Sequence, residues 1–474
     1  MASGRRSSLS ARGTRAKRTT GSARTPKAAV APLYKRLPHG PHRLDRNEVI
    51  ANQRTRIHGA LIEAVATDGY EKTSVKQVIA LAGVSRRSFY EQFENKQTCF
   101  LATFDLIARR ELQQMRRVYL ESEATTLAGR ARASFARIAH MTSQERKASM
   151  LVVLEAQTAG VPGVLRLVRA MNACEQMLTQ SFAQAPDAVS LPMPIVRAMV
   201  GGLHGIASGY LRGGTETAQL DIAEELLSWA LQFHTPAAEP MVEHMTGSLR
   251  TRLREIASTY GHGLNGAQAA GRDERERVLQ AVLRLSTREE YRSLSAPQIA
   301  DEANVPIDSF CELFAGKDEC FLAAVDAIAD DLLSIAADPQ LESEDGWASA
   351  VRRVLAELMR YLADHPLQAR TLAQEAFFAG GAAVDRVVDL SQSIATLLTE
   401  GAPRKADCPL STEAIAGAIW HTIRCQVVAG RPQLLAALSE HLAYVVLTPY
   451  LGAEKAAELL MHELQPACET AGAR

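Results

Sequence analysis

Residues 73–100 read TSVKQVIALAGVSRRSFYEQFENKQTCF, and this stretch decides the fold. Ser74-Val75-Lys76-Gln77 has the S-x-x-Q form of a capping box and opens a short helix. Ala82-Gly83-Val84 then makes a tight turn, Ser85 caps a second short helix running to about Gln92, and Asn95 starts a long one. Upstream, Ile50, Ile57, Leu61, Ile62 and Val65 recur at helical spacing, and Asp68-Gly69 closes that helix with a residue suited to a left-handed cap. Three helices with a glycine-containing turn between the second and third predict a helix-turn-helix. No strand pattern competes.

In such a motif the second helix enters the major groove with its N-terminal residues nearest the base edges. Here those residues are Arg86, Arg87 and Ser88. Arginine's planar fork matches the two acceptors on guanine, and serine contacts several edges. Val84, Phe89 and Phe93 face inward, whereas Tyr90 projects where a phenol can reach phosphate. Lys96, at the start of the long helix, adds its charge to free backbone N–H groups, a ready anion site.

The pattern T-S-V-x-x-V-x-x-x-A-G-V-S-x-x-S-F-Y-x-x-F-x-x-K-x-x-x-F over Thr73–Phe100 resembles the N-terminal signature of TetR/AcrR regulators. The resemblance implies an all-α dimer whose heads bind a double-stranded DNA operator and whose larger helical core binds a small-molecule effector. It assigns Thr73, Tyr90 and Lys96 to phosphate and Arg86, Arg87 and Ser88 to bases. Ser74, Lys76 and Ser85 complete the expected DNA-binding set. Ile79 departs from the family's usual small alanine, which bears on how the two short helices cross.

Working outward, the chain repeats itself. AGVSRRSFYEQFENKQTCFLATFDLIA from Ala82 matches ANVPIDSFCELFAGKDECFLAAVDAIA from Ala303 without a gap, 221 residues apart and identical at about half the positions. EAQTAGVPGVLRLV from Glu155 matches EAFFAGGAAVDRVV from Glu375 at nearly the same spacing. This predicts two units in tandem. Residues 1–44 form a basic tail, 45–108 a first head, 109–236 a helical ligand and dimerisation core, and 237–270 a linker. Residues 271–329 then form a degenerate second head and 330–474 a second core. In the linker Met241, Met245, Leu249, Leu253 and Ile256 mark an amphipathic helix ahead of a hinge. In the second head Ser85, Arg86, Arg87 and Tyr90 become Pro306, Ile307, Asp308 and Cys311, while Phe310, Phe314 and Lys317 persist. An acidic residue facing phosphates repels, so this head is expected to keep its fold and lose most of its affinity.

Within the cores, residues that interrupt apolar helices are the effector-pocket candidates: Glu155, Gln157, Met171 and His204 in the first, Glu375, Phe378, Trp420 and Arg424 in the second. Family dimerisation helices correspond to 194–211 and 220–233, and to 412–428 and 432–446. Gly201, Gly202, Gly205 and Gly209 make the first of these unusually close-packing. The tether suggests an intramolecular pseudo-dimer, with a homodimer pairing two first heads as the competing arrangement.

Composition bounds the remainder. The 474 residues are 47% hydrophobic but only 5% aromatic, a mixture that favours helix. Net charge is zero, yet residues 1–44 hold no acid, so the tail is basic and the rest acidic. Such a tail can neutralise phosphates. Seven scattered cysteines (Cys99, Cys174, Cys311, Cys320, Cys408, Cys425, Cys468) never fall at C-x-x-C spacing, which argues against disulfides and structural zinc and for a cytoplasmic, nucleoid-associated protein. No window approaches 18 uninterrupted apolar residues, so no membrane span is expected. There is no G-x-S-x-G, no phosphate-cradling glycine loop and no metal-spaced His/Cys group, so neither enzyme activity nor a cofactor or metal is expected. His421, Cys425 and Glu413 share one helix and read as packing residues for lack of a second element. A sensor or interaction protein with residual DNA binding is the alternative.

Overall fold

A computed structural model describes residues 45–124, 126–183, 191–213, 219–233, 273–289, 291–338, 346–403 and 412–462. The basic tail and the 237–270 linker with its Met241–Ile256 stripe lie outside the described residues. Among the described residues every regular element is a helix.

Helix α1 spans Arg46–Lys72, and its regular course breaks at Gly69, whose φ of 77° only glycine adopts without strain. Helices α2 (Val75–Ala82) and α3 (Arg86–Tyr90) follow, each capped as its sequence predicts. The Ser74 hydroxyl accepts from Gln77 N and the Ser85 hydroxyl from Ser88 N. The capping box at Ser74 is half-formed, because the Gln77 side chain turns to Asp68 instead. Gly83 takes the left-handed turn between them at φ 58°. Asn95 caps α4 (Lys96–Glu121). Ile57, Leu61, Val78, Phe89, Phe93, Phe100 and Phe104 close the small core beneath. Buried Arg56 pins α1 to the turn by donating to the carbonyls of Ala82 (2.9 Å) and Gly83.

Helices α5 (Leu127–Gln144), α6 (Arg146–Val153), α7 (Val161–Ala183), α8 (Met193–Gly213) and α9 (Gln219–Leu231) build the first core. The second half opens with α10 (Glu274–Arg288), α11 (Ala296–Ala303), α12 (Ile307–Leu313) and α13 (Lys317–Ala336). Its internal bonds recur at the 221-residue spacing. Arg277 donates to Ala303 O as Arg56 does to Ala82 O. The Tyr291–Phe321 rings stand 4.8 Å apart where Tyr70–Phe100 stand 4.7 Å apart. Asn304 takes the left-handed turn of Gly83 at φ 53°, a conformation asparagine tolerates better than other side chains.

The second core comprises α14 (Trp347–Asp364), a helical run from Pro366 to Ala379 divided as α15 (Pro366–Arg370), a π turn and α16 (Ala376–Ala379), then α17 (Gly381–Thr399), α18 (Thr412–Val428), α19 (Ser439–Leu451) and α20 (Ala453–His462). The segment Pro432–Leu451 is apolar enough to cross a membrane by composition, but 72% of it is buried between α14 and its neighbours.

The two cores meet where α8 crosses α18. A Cβ on Gly205 would stand 2.1 Å from Glu413 O, and one on Gly417 2.3 Å from Gly201 O. Only hydrogen at these positions lets the two backbones touch. Phe233 and Tyr444 continue the contact at 6.3 Å, and one apolar core runs from α8 and α9 through the second half.

Candidate nucleic-acid interface and core cavities

The recognition helix α3 presents Arg86, Arg87 and Tyr90 to solvent over buried Phe89. The Arg86 guanidinium lies 5.6 Å from the centre of the Tyr90 ring, a cation–π contact that stiffens both. Arg87 pairs with Glu91 at 2.8 Å, with the side chains 88% and 55% exposed. Such a pair is worth only about 0.3–0.5 kcal/mol, so a guanine edge or phosphate can replace it. Ser88 is half-buried, its hydroxyl 2.8 Å from that of Ser85, and Ser74 and Lys76 are exposed at the start of α2. Arg54 and Arg46, exposed on α1, extend the basic face, and Arg54 sits 5.0 Å over Phe93. Sequence reading missed both, because they lie outside the motif and reach it only through the packing of α1 against α2.

Two expected phosphate contacts sit differently. Thr73 is buried, and its hydroxyl donates to Gly69 O at 2.7 Å. The Lys96 ammonium donates to Tyr70 O (2.8 Å) and Glu71 O and lies 4.2 Å from the Tyr70 ring centre. Both side chains satisfy the carbonyls left open where α1 ends. Lys317 repeats the arrangement against Tyr291 and Leu294 in the second head, so its retention there preserves scaffold geometry. Ile79, where a smaller residue was expected, packs half-buried at the edge of the head core.

On the second head the equivalent face shows Ile307, Asp308 and Cys311, all exposed, with Pro306 at the cap.

Behind the first head, α4 to α9 enclose an apolar cavity of about 180 Å³. Met171 and His204 line it, with Met115, Tyr119, Phe135 and Leu203. A second cavity of about 70 Å³ lies between the cores, lined by Gln157, Trp420 and Arg424, and again by Met171 and His204. Burial and the nearby charge of Arg424 hold His204 down at about 3, so its ring is neutral. The pocket candidates therefore do not form one site. Glu375 and Phe378 face a separate open space between the halves, where buried Glu375 pairs with Arg370 at 2.9 Å. Burial raises the Glu375 carboxyl above its ordinary range despite that partner. Glu155 accepts from Tyr70 N at 2.9 Å and so ties the end of α6 to the end of α1.

A cross-core cluster also went unforeseen. The second element that His421 and Cys425 lacked is α7, whose Glu175 lies 3.1 Å from His421 Nε2, while Arg197 of α8 pairs with Glu175 at 3.3 Å. Glu413 stands elsewhere, at the helix crossing. Ligand atoms of Glu175, His421 and Cys425 lie within 4.8 Å of one another. Burial pushes the Glu175 carboxyl up, but the His421 hydrogen bond and the Arg197 charge outweigh it, and the group stays ionised. Burial keeps His421 neutral. The guanidinium already neutralises the carboxylate, which makes the cluster a polar tie between the two cores.

Residues 59–103 match the model of the bacterial regulatory proteins of the tetR family. This segment is similar to the DNA-binding head of that family. It covers the end of α1 through the first turns of α4, the same helices that hold Arg86, Arg87 and Tyr90 in place. The match supports a DNA-binding transcriptional regulator. Among solved structures the chain is similar to the fatty acid degradation regulator FadR from Bacillus halodurans, at 16% identity and a TM-score of 0.32, over 36% of this chain and 96% of that one. No curated protein matches it in sequence.

Proposed function

We propose that this protein is a ligand-responsive, non-catalytic cytoplasmic repressor that reads its operator through the first head alone. The observation that carries this is the contrast on one scaffold: α3 exposes Arg86, Arg87 and Tyr90, and α12 exposes Ile307, Asp308 and Cys311. Ser74, Lys76, Ser85 and Ser88 flank the reading face, while Thr73 and Lys96 lock the end of α1 behind it.

The chain is a tandem duplication acting as its own dimer. Scaffold bonds repeating every 221 residues support the duplication, and the glycine crossing of α8 with α18 supports the pseudo-dimer. An effector entering the 180 Å³ cavity would press on α4, which supplies Met115 and Tyr119 to its wall and carries Lys96 in the head. It would also press on Val152 and Val153 of α6, one turn before the Glu155 tie to Tyr70. Both routes tilt the first head relative to its core.

Gel-shift with genomic fragments under excess nonspecific DNA tests the reading. Retained complexes are expected, and their loss to competitor would favour a sensor or interaction protein. Light scattering is expected to report one chain per particle in the absence of DNA; a dimer at all concentrations would overturn the pseudo-dimer.

A further inference from the structure

The small cavity between the cores is lined by polar atoms that the protein leaves unmatched. Arg424 on α18 is 4% exposed, and its Nε has no hydrogen-bond partner. Its guanidinium carbon lies 4.6 Å from the centre of the Phe377 ring. Burial pulls its pKa down to about 10, against a small opposing effect of Cys425, so it remains a cation at neutral pH. Trp420 Nε1, one turn earlier on the same helix, is likewise buried without a partner. From the first core, Gln157 and His204 line the same space, and Gln157 Oε1 and His204 Nε2 are also buried without a hydrogen-bond partner. Burying a cation unpaired is among the costliest arrangements a fold can hold, and four unmatched polar groups around one cavity compound it.

The chemistry of these groups fits an anion. A guanidinium offers two parallel donors and an indole offers a third, while the amide and the imidazole can each turn or retautomerise to donate. Glu413 lines the same cavity, but it lies three turns away along α18, about 16 Å from Arg424 by helical rise. The second feature is the neighbour. Met171 and His204 line both this cavity and the 180 Å³ cavity of the first core, whose other walls are almost entirely apolar.

We propose that the two cavities form one effector site for an apolar-tailed carboxylate, with its headgroup on Arg424 and Trp420 between the cores and its tail in the first core. The assignment rests on the ligand-responsive reading above and names its effector class. It also gives the pseudo-dimer a purpose, because the second unit supplies a fully buried guanidinium to a cavity that Arg212 of the first core also lines: His204 stands in the first unit where Arg424 stands in the second.

Calorimetric titration of the full chain without DNA tests this, using octanoate, decanoate and 4-phenylbutanoate, with 1-decanol as the uncharged control. Wild type is expected to bind at least one carboxylate ten times more tightly than decanol. Arg424→Met is expected to lose that preference by at least tenfold while binding decanol as wild type does. Removing an unpaired buried charge is expected to leave its Tm unchanged or raised, which separates lost recognition from lost folding. Trp420→Phe should weaken the carboxylate by a smaller factor. Binding of none of the carboxylates, equal binding of carboxylate and alcohol, or an unaffected Arg424→Met would each overturn the proposal. Gel-shift of the ligand-free protein is scored separately, so failure to bind DNA would count against the regulator reading without touching this result.

Discussion

The two heads share a scaffold and differ in what they show to solvent. Arg56 and Arg277 hold the same turn, the Phe89–Phe93 and Phe310–Phe314 pairs both stand 5.8 Å apart, and Lys96 and Lys317 donate to the equivalent carbonyls of Tyr70 and Tyr291. All of these groups bond or pack within the head itself. The exposed face differs at the cap and three positions of one short helix, with Ser, Arg, Arg and Tyr in the first and Pro, Ile, Asp and Cys in the second, over the same bonds beneath. Folding and recognition occupy separate side chains in this motif, so recognition can be lost while the fold persists.

The largest effect should come from erasing the first surface. Arg86→Ala/Arg87→Ala/Tyr90→Phe is expected to weaken operator binding by a hundredfold or more, since each base-reading contact contributes about 1–3 kcal/mol. The mirror set Ile307→Ala/Asp308→Ala/Cys311→Ser should change it less than about twofold on the same scale. Fluorescence anisotropy on one duplex measures both, and equal losses would erase the distinction between the heads.

A smaller gain should follow from rebuilding the second surface. Ile307→Arg/Asp308→Arg/Cys311→Tyr is expected to tighten binding to a two-half-site duplex by about tenfold, one regained contact's worth after the cost of docking a second head. No gain would mean the second head is held where it cannot reach a groove.

The subtlest difference lies inside the heads. In the first, buried His58 bonds Thr103 at 2.7 Å; the second has Leu279 and Ala324 in their places. Burial, aided by the Arg54 charge, lowers His58 to about 4. A histidine depressed in the folded state is neutral there above its unfolded pKa near 6.5, so its full stability is present above that pH. That stability drains as pH falls from 6.5 toward 4, by about 3 kcal/mol in all. His58→Leu should flatten the loss of Tm over this window, and an unchanged slope would place the acid sensitivity elsewhere.

Local signals in the sequence carried the heads well. Caps at Ser74, Ser85 and Asn95, the Gly83 turn and the apolar spacing of α1 each act within a few residues, so each is written in order along the chain. Gly201 and Gly205 announced a close crossing, though only the fold shows that α18 fills it. The core sites were less legible. Arg424 and His204 were singled out as polar breaks in apolar helices, but their meeting depends on a contact across more than 200 residues of chain. The inward turns of Thr73 and Lys96 were hidden for a related reason: which carbonyls stand open at the end of α1 is a property of the packed head. Glu155 and Glu375 align in the repeat, yet one ties the head to its core and the other faces the space between the halves.

Selection from a random duplex library with the purified wild-type chain tests the central claim most directly. A single half-site, bound by one chain and lost in the Arg86→Ala/Arg87→Ala/Tyr90→Phe variant, is the result this account predicts. A palindrome bound by two chains, or a site still enriched by the variant, would contradict it.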